Sequence, residues 1–470
     1  MIVSRFAPSP SLSTFTNASG ELETKPSAPH IGNARTCLFS YLHAKKHGGR
    51  FTLRIENTNF SQSSEESIKL IFDTLDWLGI KSDLPVIYQS ERKAIYQEYI
   101  DKLLEQKLAY KCYCDKETLD QKRETQLANK EKPRYDRTCL KLENEPDKPY
   151  VVRIKMPDWG GIAFKDKVMG RTNVRFSELT DTILQRSDGS VTFLFANMLD
   201  DCLTKVTDVI RGADGLSHSN YQIYMCEALG FPVPNYGHLP FVLNSEGNKL
   251  SKRNGDDSIL DLREKGFLAE AVINTICRIG WSNNNEEIFS MDDLISKFDL
   301  KNVGKSPGIF DPQKLLNINK HWIKNSEPDK LQTLLEPFLL KEQITPHQIA
   351  EFNKVSSVSK AIKTLQTRSA TLVEMAQKAK FYFIRPDHST ISLTGVQKEI
   401  LKSFIDNLNS NNSIDEAIEE TCRQVNCTIK ELGPPVRLSL SGSLAAPGIV
   451  EIIEVLGTKE AIERIKSVIT

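Results

Sequence analysis

A histidine followed two residues later by a glycine at the start of a helix can hold a phosphate. The helix start offers unpaired N–H groups and a positive dipole end, and glycine lets a ligand approach the backbone. Such a pair stands at His30 and Gly32, followed by Asn33, in the run PHIGNART. Far downstream, NSEGNKLSKRNG crowds Lys249, Lys252 and Arg253 around Ser251 on a glycine-rich loop that follows an apolar, strand-like run from His238 to Leu243. Lysines supply point charges and serine a hydroxyl donor, so this loop can clamp a triphosphate. Each stretch, taken alone, also reads as an ordinary turn.

Cys112, Cys114, Tyr135 and Cys139 form the pattern C-x-C-x20-Y-x3-C. Two cysteines one residue apart are a weaker metal signal than C-x-x-C. Residues 115–148, however, are almost all polar. Thiols gathered in a segment that cannot build a core need a reason, and a zinc staple supplies the missing stability.

The elements that carry these residues follow from apolar periodicity. Ile2, Val3 and Phe6 read as a buried strand, and Ile31, Ala34, Leu38, Phe39 and Leu42 recur at helical spacing. Between them Ser11–Ala28 is rich in Ser and Thr without an apolar period, which predicts a mobile surface loop. FTLRI is a strand ending on Glu56; Ser63 and Glu66 read as a capping box before a helix stopped by Gly79. A further helix is predicted over Arg92–Gln106. Strand and helix alternate, so this part is α/β, a parallel sheet with helices on both faces.

The alternation breaks near Lys111, and 108–190 reads as an insertion. The sheet resumes over Val191–Arg211, and a helix over Gln222–Leu229 is ended by Gly230. From about Asp311 the chain reads as all helix, with Pro447 at a first helical position and Gly457 as a stop.

A chain of 470 residues, 39% apolar, is long enough for several domains. It has no apolar run of about eighteen residues and no signal-like N-terminus, which predicts a cytoplasmic protein without a membrane span. The 61 basic and 61 acidic side chains balance, so total charge neither favours nor excludes a nucleic-acid partner. Nine scattered cysteines argue against a disulfide framework, and Cys37, Cys202, Cys226 and Cys277 read as small core residues.

Taken together, HIGN and KLSKR resemble the two signatures of class I aminoacyl-tRNA synthetases, usually written HIGH and KMSKS. RFAPSP, LRIENTN (Leu53–Asn59), DWLGI (Asp76–Ile80), YQSERKAIY (Tyr88–Tyr96), RSDGS (Arg186–Ser190), DVIRGADG (Asp208–Gly215) and RIGW (Arg278–Trp281) tighten the match. In that order and spacing they resemble the bacterial-type glutamyl-tRNA synthetases over essentially the whole chain.

The resemblance implies a Rossmann-like catalytic domain in two halves, 1–107 and 191–255, the second carrying the KLSKR loop. It implies an inserted acceptor-end and zinc domain at 108–190, a stem-contact domain at 256–320 and an all-α anticodon-binding domain at 321–470. The implied reaction is ATP-dependent activation of L-glutamate, with Mg2+ on the phosphates, and transfer to the 3′ end of tRNA(Glu), with tRNA(Gln) open as a second acceptor.

By position, His30, Gly32, Asn33, Lys249, Ser251 and Lys252 match residues that serve ATP and catalysis. Arg5 and Arg211 match the arginines for the glutamate carboxylate, and an arginine's planar fork suits that task. Glu56 matches the residue near the α-amino group, while Ala7, Ser9, Phe193 and Asn197 match pocket walls. Some relatives carry the same Cys, Cys, Tyr, Cys set for Zn2+; others use a His two residues after the last Cys, where this chain has Lys141. Arg368 and Arg437 fall at anticodon-reading positions. A monomer is the expected state.

Five departures cluster near the active site. Asn33 replaces the last His of HIGH; extra residues separate Pro10 from His30; ENTN at Glu56–Asn59 replaces EDTD; Phe193 stands where a pocket Tyr is usual; and Ala213 and Gly215 interrupt RGEDH. They leave open an alternative, a catalytically weak paralogue that binds tRNA or regulates. An enzyme glutamylating queuosine in tRNA is disfavoured by the long helical tail, and a glutaminyl enzyme by the absence of β-barrel patterning there.

Overall fold

The structure, a computed structural model, describes residues 1–16, 21–58, 64–250, 257–389, 391–410 and 413–469. They form two compact units, Met1–Asp261 with Ile273–Asp311, and Leu262–Val272 with Pro312–Thr470.

In the first unit the chain runs β1 (Val3–Phe6), β2 (Ser11–Thr16), β3 (Leu22–Ser27), α1 (Ile31–Lys46), β4 (Arg50–Ile55), α2 (Glu65–Trp77), β5 (Ile87–Tyr88) and α3 (Lys93–Glu105). It continues through β6 (Ala109–Cys112), α4 (Lys116–Ala128), β7 (Val151–Ile154), β8 (Gly161–Asp166), β9 (Gly170–Arg175) and β10 (Ile183–Gln185). Then come α5 (Phe193–Leu203), β11 (Asp208–Gly212), α6 (Leu216–Ala228) and β12 (Asn235–Leu239).

The strands β12-β11-β1-β4-β5 form one parallel sheet. From β1 the order departs to β4 on one side and to β11 on the other. A crevice therefore opens beyond the carboxyl ends of β1 and β11, the usual ligand position in such sheets. Helix α1 buries Ile31, Ala34, Leu38 and Leu42 at 2% exposure or less, which holds its N-terminus at that crevice.

The insertion has its own antiparallel sheet, β10-β7-β6, and a β8–β9 hairpin. Helix α4 buries none of its side chains. The second unit is helical from Pro312–Asn325 to Thr458–Ile469, with Leu331, Leu335, Leu401, Phe404, Leu440 and Ile465 fully buried.

Four local expectations are corrected. The described residues of Ser11–Ala28 are not an irregular loop: β2 and β3 pair antiparallel from Ser11 with Ser27 to Thr16 with Leu22, and a threonine-rich sequence suits a pleated ribbon. The α2 cap is Ser64, whose hydroxyl accepts from Ser67 N–H at 3.0 Å, while Ser63 lies outside the described residues. The span 191–211 is mostly helix α5, because its apolar residues have a helical rather than alternating repeat. Pro447 precedes the N-cap Gly448 of helix Ile449–Leu456, because the Glu451 carboxylate turns back to accept from Gly448 N–H at 2.7 Å.

Candidate active site

A cavity of about 470 Å³ lies in the crevice. Its walls include Arg5, Ala7 and Ser9 from β1 and the turn after it, His30, Gly32 and Asn33 at the start of α1, and Glu56 after β4. Phe193, Asn197, Arg211 and Lys249 complete the expected set. Ser251 and Lys252 lie outside the described residues.

His30 is the N-cap of α1, and its Nδ1 accepts from Gly32 N–H at 3.0 Å. An amide can only donate, so Nδ1 holds the lone pair and a neutral ring carries its proton on Nε2. A Cβ on Gly32 would lie 2.8 Å from His30 Cε1, so glycine is needed for the ring to cap the helix. The expected open amide at Gly32 is thus taken by the histidine itself. Lys249 Nζ lies 4.0 Å from the Phe241 ring centroid, a cation–π contact.

Beneath the cavity lies a buried charge network that sequence reasoning missed. Arg5 donates from Nε and Nη2 to Asp201 Oδ1 and Oδ2 at 3.2 and 3.3 Å. Arg54 donates to Asp201 Oδ1 at 2.6 Å and to Glu56 Oε1 at 3.2 Å. Asp200 accepts from Arg92 at 2.7 Å and from Gln89 and Tyr96 at 2.8 Å.

Burial opposes ionisation of Asp201, but Arg5 and Arg54 hold its carboxyl below the usual range. For Glu56 burial prevails over Arg54 and Asn197 and pushes the carboxyl up. The signal was present in FLFANMLDDCL: two adjacent acids on an apolar helix require buried cations.

Three arginines answer three carboxylates there. Arg211, by contrast, has no carboxylate partner among the described residues. Its Nε donates to His238 Nε2 at 3.1 Å, and its Nη2 to Gly215 O, Ser219 Oγ and Gln222 Oε1 at 2.8 to 2.9 Å. Gln222 donates to Asn197 at 3.2 Å, and Asn197 to Glu56 at 2.5 Å, so amides join Arg211 to the network. Burial pushes Arg211 down to about 10, leaving it a cation at neutral pH.

Gly215, one of the departures, makes this arrangement possible. A Cβ there would meet Arg211 Nε at 2.5 Å. Arg35, also on the cavity wall, donates from Nη1 to Pro240 O at 2.7 Å, while Nε and Nη2 make no hydrogen bond among the described residues; burial pushes it down to about 10. Arg211 and Arg35 thus bring positive charge to the cavity wall without a carboxylate partner among the described residues, a setting for an anionic ligand.

The Sγ atoms of Cys112, Cys114 and Cys139 lie within 4.8 Å of one another, and the Tyr135 hydroxyl is 3.5 Å from Cys114 Sγ. Burial opposes ionisation of Cys139, but the Tyr135 hydroxyl and the Tyr113 amide hold its thiol below the ordinary range. A soft, converging donor set beside a helix without a buried face fits structural zinc.

In the helical unit, a cavity of about 550 Å³ is lined by Arg368, Lys378, Lys380, Phe381, Arg385 and Pro447, among others. Arg437 is not on its wall; its Nε donates to Pro447 O at 3.2 Å. Among the described residues, no helix is long and apolar enough to cross a membrane.

Residues 1–317 match the family model of class I tRNA synthetases (E and Q), catalytic domain, and residues 330–469 that of an anticodon-binding domain. The chain is 41% identical to the glutamate–tRNA ligase of Pelobacter propionicus over 98% of its own length and 97% of the relative's. It is likewise 41% identical to that of Geobacter sulfurreducens, with the same coverage. A crystal structure of a glutamate tRNA ligase from Elizabethkingia meningosepticum in complex with its amino acid superposes with a TM-score of 0.82, at 29% identity, over 100% of this chain and 99% of that one. By matches that run from its first strand to its last helix, the chain belongs to the class I tRNA synthetases of the E and Q group.

Proposed function

We infer that this chain is a glutamate–tRNA ligase, forming glutamyl-adenylate from L-glutamate and ATP and passing the glutamyl group to the 3′ end of tRNA(Glu). The observation that carries the substrate is Arg211: a half-buried guanidinium at the cavity wall, without a carboxylate partner among the described residues, is a seat for the side-chain carboxylate of glutamate. Arg5 adds field from below, its fork held by Asp201. Glu56 and Asn197 face the α-amino end, and Ala7, Ser9 and Phe193 wall the pocket.

The α-carboxylate of glutamate is ionised at pH 7 and needs no base. Its oxygen bonds the α-phosphorus as the bond to diphosphate breaks. The protein's part is positioning and positive charge where the phosphates separate. His30 offers Nε2–H from the capped start of α1, Asn33 an amide, and Lys249, Ser251 and Lys252 the opposite clamp. Magnesium, when bound, neutralises the phosphates. A 3′ hydroxyl of tRNA then attacks the acyl carbon and AMP leaves.

Residues 108–190 receive the acceptor end in this reading and 256–320 contact the stem. Cys112, Cys114, Tyr135 and Cys139 would hold zinc, which staples the insertion. In the helical unit, Arg368 and Arg437 serve the anticodon; arginine stacks on and bonds to unpaired bases.

The test is a charging assay with ATP, Mg2+ and tRNA: tRNA(Glu) should accept glutamate and not aspartate, and tRNA(Gln) is assayed beside it. Tight tRNA(Glu) binding without glutamyl-tRNA would turn the reading to the tRNA-binding paralogue.

A further inference from the structure

We propose that Asp166 and His238 are positioning residues that orient Arg211 for glutamate, an inference that rests on the reading of Arg211 above. Arg211 and His238 are paired in register across β11 and β12. His238 and Asp166 are wholly buried, and His238 Nδ1 lies 2.6 Å from Asp166 Oδ2.

Asp166 also accepts from the Val168, Met169 and His238 amides, at 2.8, 2.7 and 3.2 Å, which befits a carboxylate and not an acid. Burial keeps His238 below its ordinary range, beside Arg211. A neutral imidazole has one N–H, and facing a carboxylate that proton sits on Nδ1. Nε2 is therefore an obligatory acceptor, and it meets Arg211 Nε–H at 3.1 Å.

The consequence is geometric. With Nε bound to His238 and Nη2 to Gly215, Ser219 and Gln222, the guanidinium plane is set, and Nη1 makes no hydrogen bond among the described residues. The edge left for a substrate carboxylate is chosen by the tautomer of His238, and Asp166 chooses the tautomer. Asp166 closes β8 of the insertion, whose next residue, Lys167, donates its N–H to Tyr236 O of β12 at 2.8 Å. Glutamate recognition is thereby coupled to the seating of the β8–β9 hairpin on β12.

Asp166→Asn is nearly isosteric, and its oxygen still accepts from the amides. Its NH2 faces Nδ1, which drives the proton to Nε2 and sets donor against donor at Arg211. His238→Gln places an amide oxygen where Nε2 was, with no tautomer to choose; His238→Leu removes the acceptor.

Steady-state charging by the full-length enzyme should show Asp166→Asn and His238→Leu raising the glutamate KM about tenfold or more, the ATP KM moving less than about twofold. His238→Gln should stay within about threefold, and Asp166→Asn added to it should cost little more, the non-additivity of residues acting through one path. A single structural loss would not spare glutamine or vanish in the double variant.

An unchanged glutamate KM in Asp166→Asn, or equal losses in His238→Gln and His238→Leu, overturns the inference. If Asp166→Asn fails to fold by thermal melting, the Gln and Leu pair decides. Arg211→Ala is run beside them: if it leaves the glutamate KM unchanged, the pocket reading falls; if it alone raises that KM, only the positioning inference falls.

Discussion

Arg5 grips Asp201 with both ends of its fork, Nε to Oδ1 at 3.2 Å and Nη2 to Oδ2 at 3.3 Å, and both residues are buried. The two arginines expected to share one task are thus unlike: Arg5 is neutralised within the protein, whereas Arg211 is not. Arg5→Ala should act first on stability. Stranding a buried acid with one partner fewer costs about 3–5 kcal/mol, read as a lower melting temperature.

Arg211→Ala should leave melting unchanged or raised, since it removes a charge that burial disfavours. Losing one charge-assisted pair to glutamate costs about 1.5–3 kcal/mol, roughly ten- to a hundredfold in kcat/KM. Equal melting losses in both variants would contradict the contrast.

Gly32→Ala should push the His30 ring from its cap, because the new Cβ would sit 2.8 Å from Cε1. Loss of the cap costs about 1 kcal/mol of stability. The rate of adenylate formation should fall more than glutamate affinity. Wild-type kcat in this variant would separate His30 from the reaction.

Zinc should copurify at about one ion per chain, as the thiol set predicts. Its chelation, or Cys112→Ser or Cys139→Ser, should open residues 108–190 to proteolysis and weaken tRNA more than ATP binding. Metal-free protein whose three thiols all react freely counts against it.

The hairpin β2–β3 should tolerate replacement by a short turn, with charging retained, since Glu21, Glu23, Thr24 and Lys25 are exposed. Loss of charging in a variant that melts normally would place the hairpin in the site.

Acid should unfold the chain through carboxyls such as Asp208. Burial opposes its ionisation, but His43, Lys167 and Thr207 hold it well below the usual range. A depressed folded pKa adds stability above the unfolded value, about 3.9, that is lost as pH falls toward the folded one. Wild type should therefore melt lower as pH drops below about 5. Asp208→Asn should start lower at neutral pH and show a flatter acid limb; an identical acid limb would exclude Asp208.

The start of α1 at Ile31 was legible because its apolar spacing is local, whereas the capping of Gly32 N–H by His30 was not read from it. The cysteine spacing was legible in the same way, since short segments bring those thiols together. The alternation of strand and helix similarly announced the parallel sheet.

Only the tertiary structure turned Arg5 to Asp201, 196 positions away, and Arg211 to His238 and Asp166. Residue types show that a buried charge needs a partner, as the adjacent acids of α5 did, but many partners satisfy that need equally. Which one is met depends on strand order and register, set by the packing of the whole unit rather than by any stretch of it.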